Sequence, residues 1–164
     1  MNRRHFLRNS ALLAASTASP LFAAEGWKAK SALPDLSTFG LEGTLPKLKG
    51  KVIYLDFWAS WCAPCKASFP VINGWQEQLA SKGFTVLGIS VDETAAAMEG
   101  FLKKNKVSFP IVRDAAQKLV AAANVSTMPT SFLIDKQGVI QNVHTGFRPK
   151  DAADLLAKIN ALLA

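Results

Sequence analysis

The sequence predicts an α/β fold, a mixed central sheet with helices on both faces, and three observations predict it. Residues 52–58 (VIYLDFW) and 84–91 (FTVLGISV) are nearly continuous apolar runs rich in β-branched and aromatic residues, as strands covered on both faces require. The stretch between them, 63–81, carries Phe69, Ile72 and Leu79 at helical spacing, so the three segments form a right-handed βαβ unit with parallel pairing. Residues 130–145 read as two strands around the tight turn Asp135-Lys136-Gln137-Gly138, which adds an antiparallel pair.

In chain order, the first eight residues, MNRRHFLR, are basic, and Ser10 to Ala18 form a small, mildly apolar run without charge. That run is too short to span a bilayer, so residues 1–24 read as a cleaved export signal, cut after Ala23 or Ala24. Arg3 and Arg4 precede Phe6, Leu7 and Arg8, the arrangement of a twin-arginine signal. Residues 25–164 are then one domain, as the length allows. Residues 25–50 are a polar lead-in whose short alternations predict one or two marginal edge strands, with Gly43 and Gly50 in turns.

The first long strand gives out at Ala59 and Ser60, and Cys62-Ala63-Pro64-Cys65 opens the helix over 63–81. Pro64 suits a first helical turn, where its missing N–H has no intrahelical partner; Pro70 removes a bond further in and kinks the helix. Gly83 ends it. Asp92, Glu93 and Thr94 begin a helix that turns Ala97, Met98, Phe101 and Leu102 to the core. Residues 109–112 are a short extended piece, and Asp114 caps a helix over 115–123 with Leu119, Val120 and Ala123 inward. Thr130 to Ile134 and Val139 to Thr145 are the hairpin strands. After Pro149 a final amphipathic helix presents Ala152, Leu155, Leu156, Ile159, Leu162 and Leu163 to one sheet face.

The two cysteines are the whole inventory, and a pair so close in sequence constrains little of the unfolded chain. In an exported protein it suits exchange better than stapling. Cys62, at or just before the helix N-cap, meets free backbone N–H groups and the helix dipole, which favour a thiolate; it is the expected nucleophile, and Cys65, one turn in, the resolving thiol. Ala63 and Pro64 bring no charge and shape the site through the backbone. Asp56, an acid inside an apolar strand, costs desolvation and is expected to hold its proton more tightly than usual unless it is paired. Structural zinc needs four ligands and the histidines are only His5 and His144, so no metal and no cofactor is expected. His144 reads as a surface residue at a strand end.

DFWASWCAPC at 56–65, Lys66 and Pro70 after it, and TMPT at 127–130 resemble the thioredoxin superfamily, in its branch of exported TlpA/ResA-like thiol–disulfide proteins. The resemblance runs from Leu33 to the C-terminus. It implies a thioredoxin-like fold, an N-terminal strand or hairpin, and an extra α-β insertion before the Met-Pro turn. It implies a cis peptide ahead of Pro129 packed against the disulfide, with Met128 offering main-chain hydrogen bonds to an extended substrate. Trp61 is similar to a residue that shields the disulfide, and Trp58 to a packing residue. Asp56 matches in spacing a buried aspartate that relays a proton for the resolving thiol. Members of the branch on the cytochrome-maturation route often carry a glutamate three residues after the second cysteine, where this chain has Ser68.

The formal charge of +7 falls to +4 without residues 1–24, which hold three arginines and no acid. That mild excess, spread over scattered lysines, argues against a nucleic-acid partner. The expected function is a periplasmic thiol–disulfide oxidoreductase reducing oxidised periplasmic proteins, with a membrane thiol carrier as electron donor. The alternatives are a net oxidant or peroxide reductase of the same fold, or a periplasmic copper-binding module.

Overall fold

The computed structural model describes residues 26–164; the expected export signal lies outside the described residues. Strand β1 (Val52–Trp58) leads through the cysteine turn into helix α1 (Ala63–Leu79), then strand β2 (Phe84–Ser90), helix α2 (Ala95–Lys104) and strand β3 (Ile111–Arg113). A short helix α3 (Lys118–Ala122) precedes strands β4 (Thr130–Ile134) and β5 (Ile140–Thr145), and helix α4 (Ala152–Leu163) ends the chain. The sheet order is β3-β2-β1-β4-β5, with β1, β2 and β3 parallel and β4 and β5 antiparallel to their neighbours. This is the expected mixed sheet, and α2 with β3 is the insertion ahead of the Met-Pro turn.

Every residue of β1, β2 and β4 is buried, which explains why these strands read as continuous apolar runs. Alternation along β1 divides its contacts. Tyr54 meets Trp75 of α1 with ring centroids 5.5 Å apart, and Trp58 meets Phe69 of α1 at 4.8 Å and Phe101 of α2 at 5.0 Å. Phe57 points the other way, to Trp27 and Phe132. Helix α1 therefore lies over the face that carries Tyr54, Asp56 and Trp58. On β2 that face has Gly88, where an added Cβ would stand 2.6 Å from Ile111 and 3.2 Å from the Trp58 indole nitrogen, so only glycine fits against the indole.

The lead-in differs from the expected edge strands. Asp35 caps a single 3-10 turn, Leu36–Phe39, by accepting from the Ser37 N–H, and Gly40 leaves it in the left-handed region at φ 68°. Local capping outcompetes alternation here, and the segment touches the sheet only at the isolated bridges Ala32 to Val139 and Glu42 to Arg113. Gly43 and Gly50 do turn the chain, at φ 109° and 80°.

Helix α1 stops at Leu79 and continues as a 3-10 turn to Lys82. The following helix starts at Ala95 with Thr94 as its cap, because the Asp92 carboxylate is used elsewhere. Helix α3 is shorter than the expected 115–123: Gln117 takes a left-handed conformation at φ 55°, which delays the start to Lys118. Asp114 still caps it, accepting from the N–H groups of Lys118 and Val120.

Candidate active site

The cysteine turn sits at the carboxyl end of β1, where open parallel sheets place their sites. Cys62 is the N-cap of α1, and Cys62 and Cys65 form a disulfide with Cα atoms 5.3 Å apart. The Cys65 N–H donates to Cys62 Sγ at 3.2 Å, while the Lys66 N–H is taken by the Cys62 carbonyl and Pro64 has none to offer. The expected order of access holds, although Cys62 is nearly covered: it keeps 4% of its surface and Cys65 none. Ala63 and Pro64 are exposed beside Cys62. Trp61, expected as a shield at the surface, is 70% exposed, so most of its indole stands in solvent where a partner can meet it. Trp58 packs in the core, as expected.

Cys65 shares the inner face of α1 with Phe69, one turn on, which rests on Trp58. That face covers Asp56, which is 2% exposed and whose Oδ2 has no hydrogen-bond partner. Burial pushes the Asp56 carboxyl up to about 7, against a smaller opposing effect of the Ser131 hydroxyl, its cross-strand partner. Ser68, at the position of the glutamate in part of the branch, turns its hydroxyl back onto the Cys65 carbonyl at 2.9 Å and presents no acid.

The Met128–Pro129 peptide is cis, as the resemblance implied. Thr130, the next residue, pairs with Phe57, so the proline turn and the cysteine turn share one end of the sheet. Pro129 is buried and Met128 half-buried. A cleft of about 270 Å³ beside the cysteine turn is lined by Ser60, Lys66, Phe101 and Lys104, giving this end a basic flank. Among the described residues no group of three or more His, Cys, Asp or Glu side chains is placed to share a metal.

Sequence reasoning missed Asp92. It is buried, and its carboxylate accepts from the Ser60 N–H at 3.0 and 3.1 Å, from the Ser60 hydroxyl at 2.7 Å and from Ser90 at 2.9 Å. These bonds clamp the loop that carries Trp61 and Cys62 to the end of β2. Arg113 fixes the same corner, donating to the Asp92 and Glu93 carbonyls while pairing with Glu42 at 2.7 Å. An acid directly after an apolar strand, facing a serine after the neighbouring strand, was the available signal.

A model of the Redoxin family matches residues 15–159. The chain belongs to that family. Among curated relatives of this redoxin, the thiol-disulfide oxidoreductase ResA of Bacillus subtilis (strain 168) is 35% identical over 156 residues, covering 88% of this chain and 86% of ResA. ResA of Geobacillus kaustophilus is 34% identical over 124 residues, 74% of this chain and 71% of the relative. Among solved structures, a putative thiol:disulfide interchange protein DsbE from Chlorobium tepidum superposes with a TM-score of 0.79 at 37% identity, covering 85% of this chain and 100% of that one. StoA from Bacillus subtilis gives 0.59 at 30% identity, over 68% and 84%. The fold is thus thioredoxin-like, of the ResA/TlpA-like branch, and the redoxin is a thiol–disulfide oxidoreductase with a Cys-x-x-Cys pair.

Proposed function

We infer that this redoxin is exported and works as a reductant of protein disulfides outside the cytoplasm, with Cys62 attacking, Cys65 resolving and Asp56 accepting the Cys65 proton. The observation that carries the reading is Asp56, buried beneath the inner face of α1 with a carboxyl pushed up to about 7. A group that titrates near neutrality is suited to take a proton from a thiol. Strong oxidants of this chemistry owe their potential to a stabilised reduced form. Here Cys62 has one backbone N–H, no charged residue stands between the cysteines, and an acid lies beneath them, all of which favour the disulfide. Ala63, Pro64, Trp61, Met128 and the cis Pro129 then form the surface that receives an extended client segment, and a membrane thiol carrier resupplies electrons.

Equilibration of the Cys62–Cys65 pair against glutathione tests the direction. The expected potential is near that of thioredoxin, about −270 mV; a value near −120 mV makes the protein an oxidant.

Export rests on residues 1–24. Changing Arg3 and Arg4 together to lysine is expected to leave precursor in the cytoplasm on fractionation. An unchanged exported yield removes the twin-arginine route and leaves an ordinary secretory one. Among the described residues no helix is long and apolar enough to cross a membrane.

A further inference from the structure

Asp56 is sealed under α1, so a proton that it accepts can reach solvent only through neighbouring side chains. The sheet register supplies a line of side chains that leads out. Asp56 on β1, Ser131 on β4 and His144 on β5 are successive cross-strand partners. Residues directly opposed on neighbouring antiparallel strands point to one face with Cβ atoms about 5 Å apart. Ser131 is buried, and its hydroxyl shares a 2.7 Å hydrogen bond with the Tyr54 hydroxyl.

Each end of this line has a buried polar atom with no hydrogen-bond partner, Asp56 Oδ2 and His144 Nε2. Such an atom costs stability, so two at the ends of one line call for a reason other than packing. His144, expected at the surface near a strand end, is half-buried there: its side chain is 21% exposed, because register turns it to the α1 and α4 side of the sheet. It is also the member whose ring keeps some exposed surface, while Nε2 itself is buried 3.6 Å from Asp151.

We propose that Ser131 and His144 are the exit for the proton that Asp56 takes from Cys65, carrying it across β4 and β5 to the solvent beside Asp151. The proposal rests on the reading of Asp56 as acceptor. In the resolving step Cys65 Sγ attacks Cys62 Sγ of the mixed disulfide; the Cys62–Cys65 bond forms and the bond to the client sulfur breaks. The client thiolate takes a proton from solvent, and over the cycle the dithiol loses the two electrons that reduce the client disulfide. The Cys65 proton passes to Asp56, the acid passes a proton to Ser131 Oγ, the Ser131 hydroxyl hydrogen passes to the His144 imidazole, and the imidazolium releases a proton to solvent.

Tyr54 keeps this line supplied with a free hydrogen. Burial, with the Asp56 charge second, pushes its ionisation up, so it stays protonated, and with Tyr54 as donor in their shared bond the serine hydrogen is left for Asp56 or His144. An imidazole can take a proton at one ring nitrogen and give one up from the other, which suits the last station. The titratable and charged groups facing the line are Tyr54 on β1, Cys65 on α1, and Asp151 with its partner Arg148 at the entry to α4.

The test is stopped-flow resolution of a mixed disulfide across pH 6 to 9 in the full protein. Ser131→Ala and His144→Ala are each expected to slow resolution at neutral pH by roughly tenfold, less than the ~100-fold or more that a direct proton acceptor supplies. Attack by Cys62 is expected to keep its rate. Added imidazole should restore His144→Ala and leave Ser131→Ala slow, while Ser131→Thr, which keeps the hydroxyl, should stay fast. His144→Gln preserves polar packing without carrying a proton, and should be as slow as His144→Ala. If Asp56→Asn slows resolution but Ser131→Ala and both His144 variants do not, the exit is overturned and the acceptor stands. If Asp56→Asn is itself as fast as wild type, both fall. Slowing in His144→Ala that imidazole does not restore, alongside wild-type rates in His144→Gln, makes His144 a packing residue and also overturns the exit.

Discussion

Replacing Cys65 with alanine is expected to stop turnover and leave the protein trapped through Cys62 as a mixed disulfide with its substrate. Cys62 keeps the only exposed surface of the pair, so an incoming disulfide meets it first. The same N–H that reaches its sulfur in the oxidised form can stabilise a thiolate in the reduced form. Release then depends on Cys65, held one turn away with Cα atoms 5.3 Å apart. Well-oriented intramolecular attack has an effective molarity of about 10⁵ M or more, so external thiols cannot replace it and turnover should fall by at least roughly 1,000-fold. Mass spectrometry of the trapped adduct identifies the bonded cysteine. Cys62→Ser should give no adduct, and iodoacetamide at neutral pH should label Cys62 in the reduced wild type. An adduct that forms through Cys65 in Cys62→Ser reverses the two roles.

How far the sequence carried depended on whether the determinants were local. The sheet was legible because β1, β2 and β4 are covered on both faces, so each one had to be apolar throughout. The cysteine turn was legible because Pro64 and the flanking strand and helix fix it within one short stretch. The lead-in misled because alternation over a few residues is weaker than the Asp35 cap and the left-handed Gly40. Asp92 and Ser131 were hidden for another reason. Each acquires its role only from a partner far along the chain, Ser60 for one and Tyr54 for the other, and only the strand register brings those partners together. Asp56 was visible because an acid in an apolar strand is anomalous by itself; Ser131, a small polar residue at the edge of such a strand, is not.

Asp56→Asn is expected to slow resolution of the mixed disulfide by about 100-fold near neutral pH and, in the oxidised protein, to raise stability at alkaline pH. The two effects share one cause. In the unfolded chain the carboxyl titrates in its ordinary range near 3.8; in the fold, burial pushes it up to about 7. Between those values the folded protein binds a proton that the unfolded chain does not, so stability falls as pH rises through the window. Below about pH 4 both states are protonated and Asp56 carries no charge penalty. Above about pH 7 the whole penalty is present, at most about 4 kcal/mol. Asparagine cannot ionise, so its advantage over wild type should be absent at pH 4, grow through the window and level off by pH 8. Urea denaturation across that range reads the stability, and stopped-flow exchange reads the rate. A loss of stability at pH 8 together with an unchanged rate profile would make Asp56 a structural residue, since a carboxylate that holds the fold together has no need to release its proton.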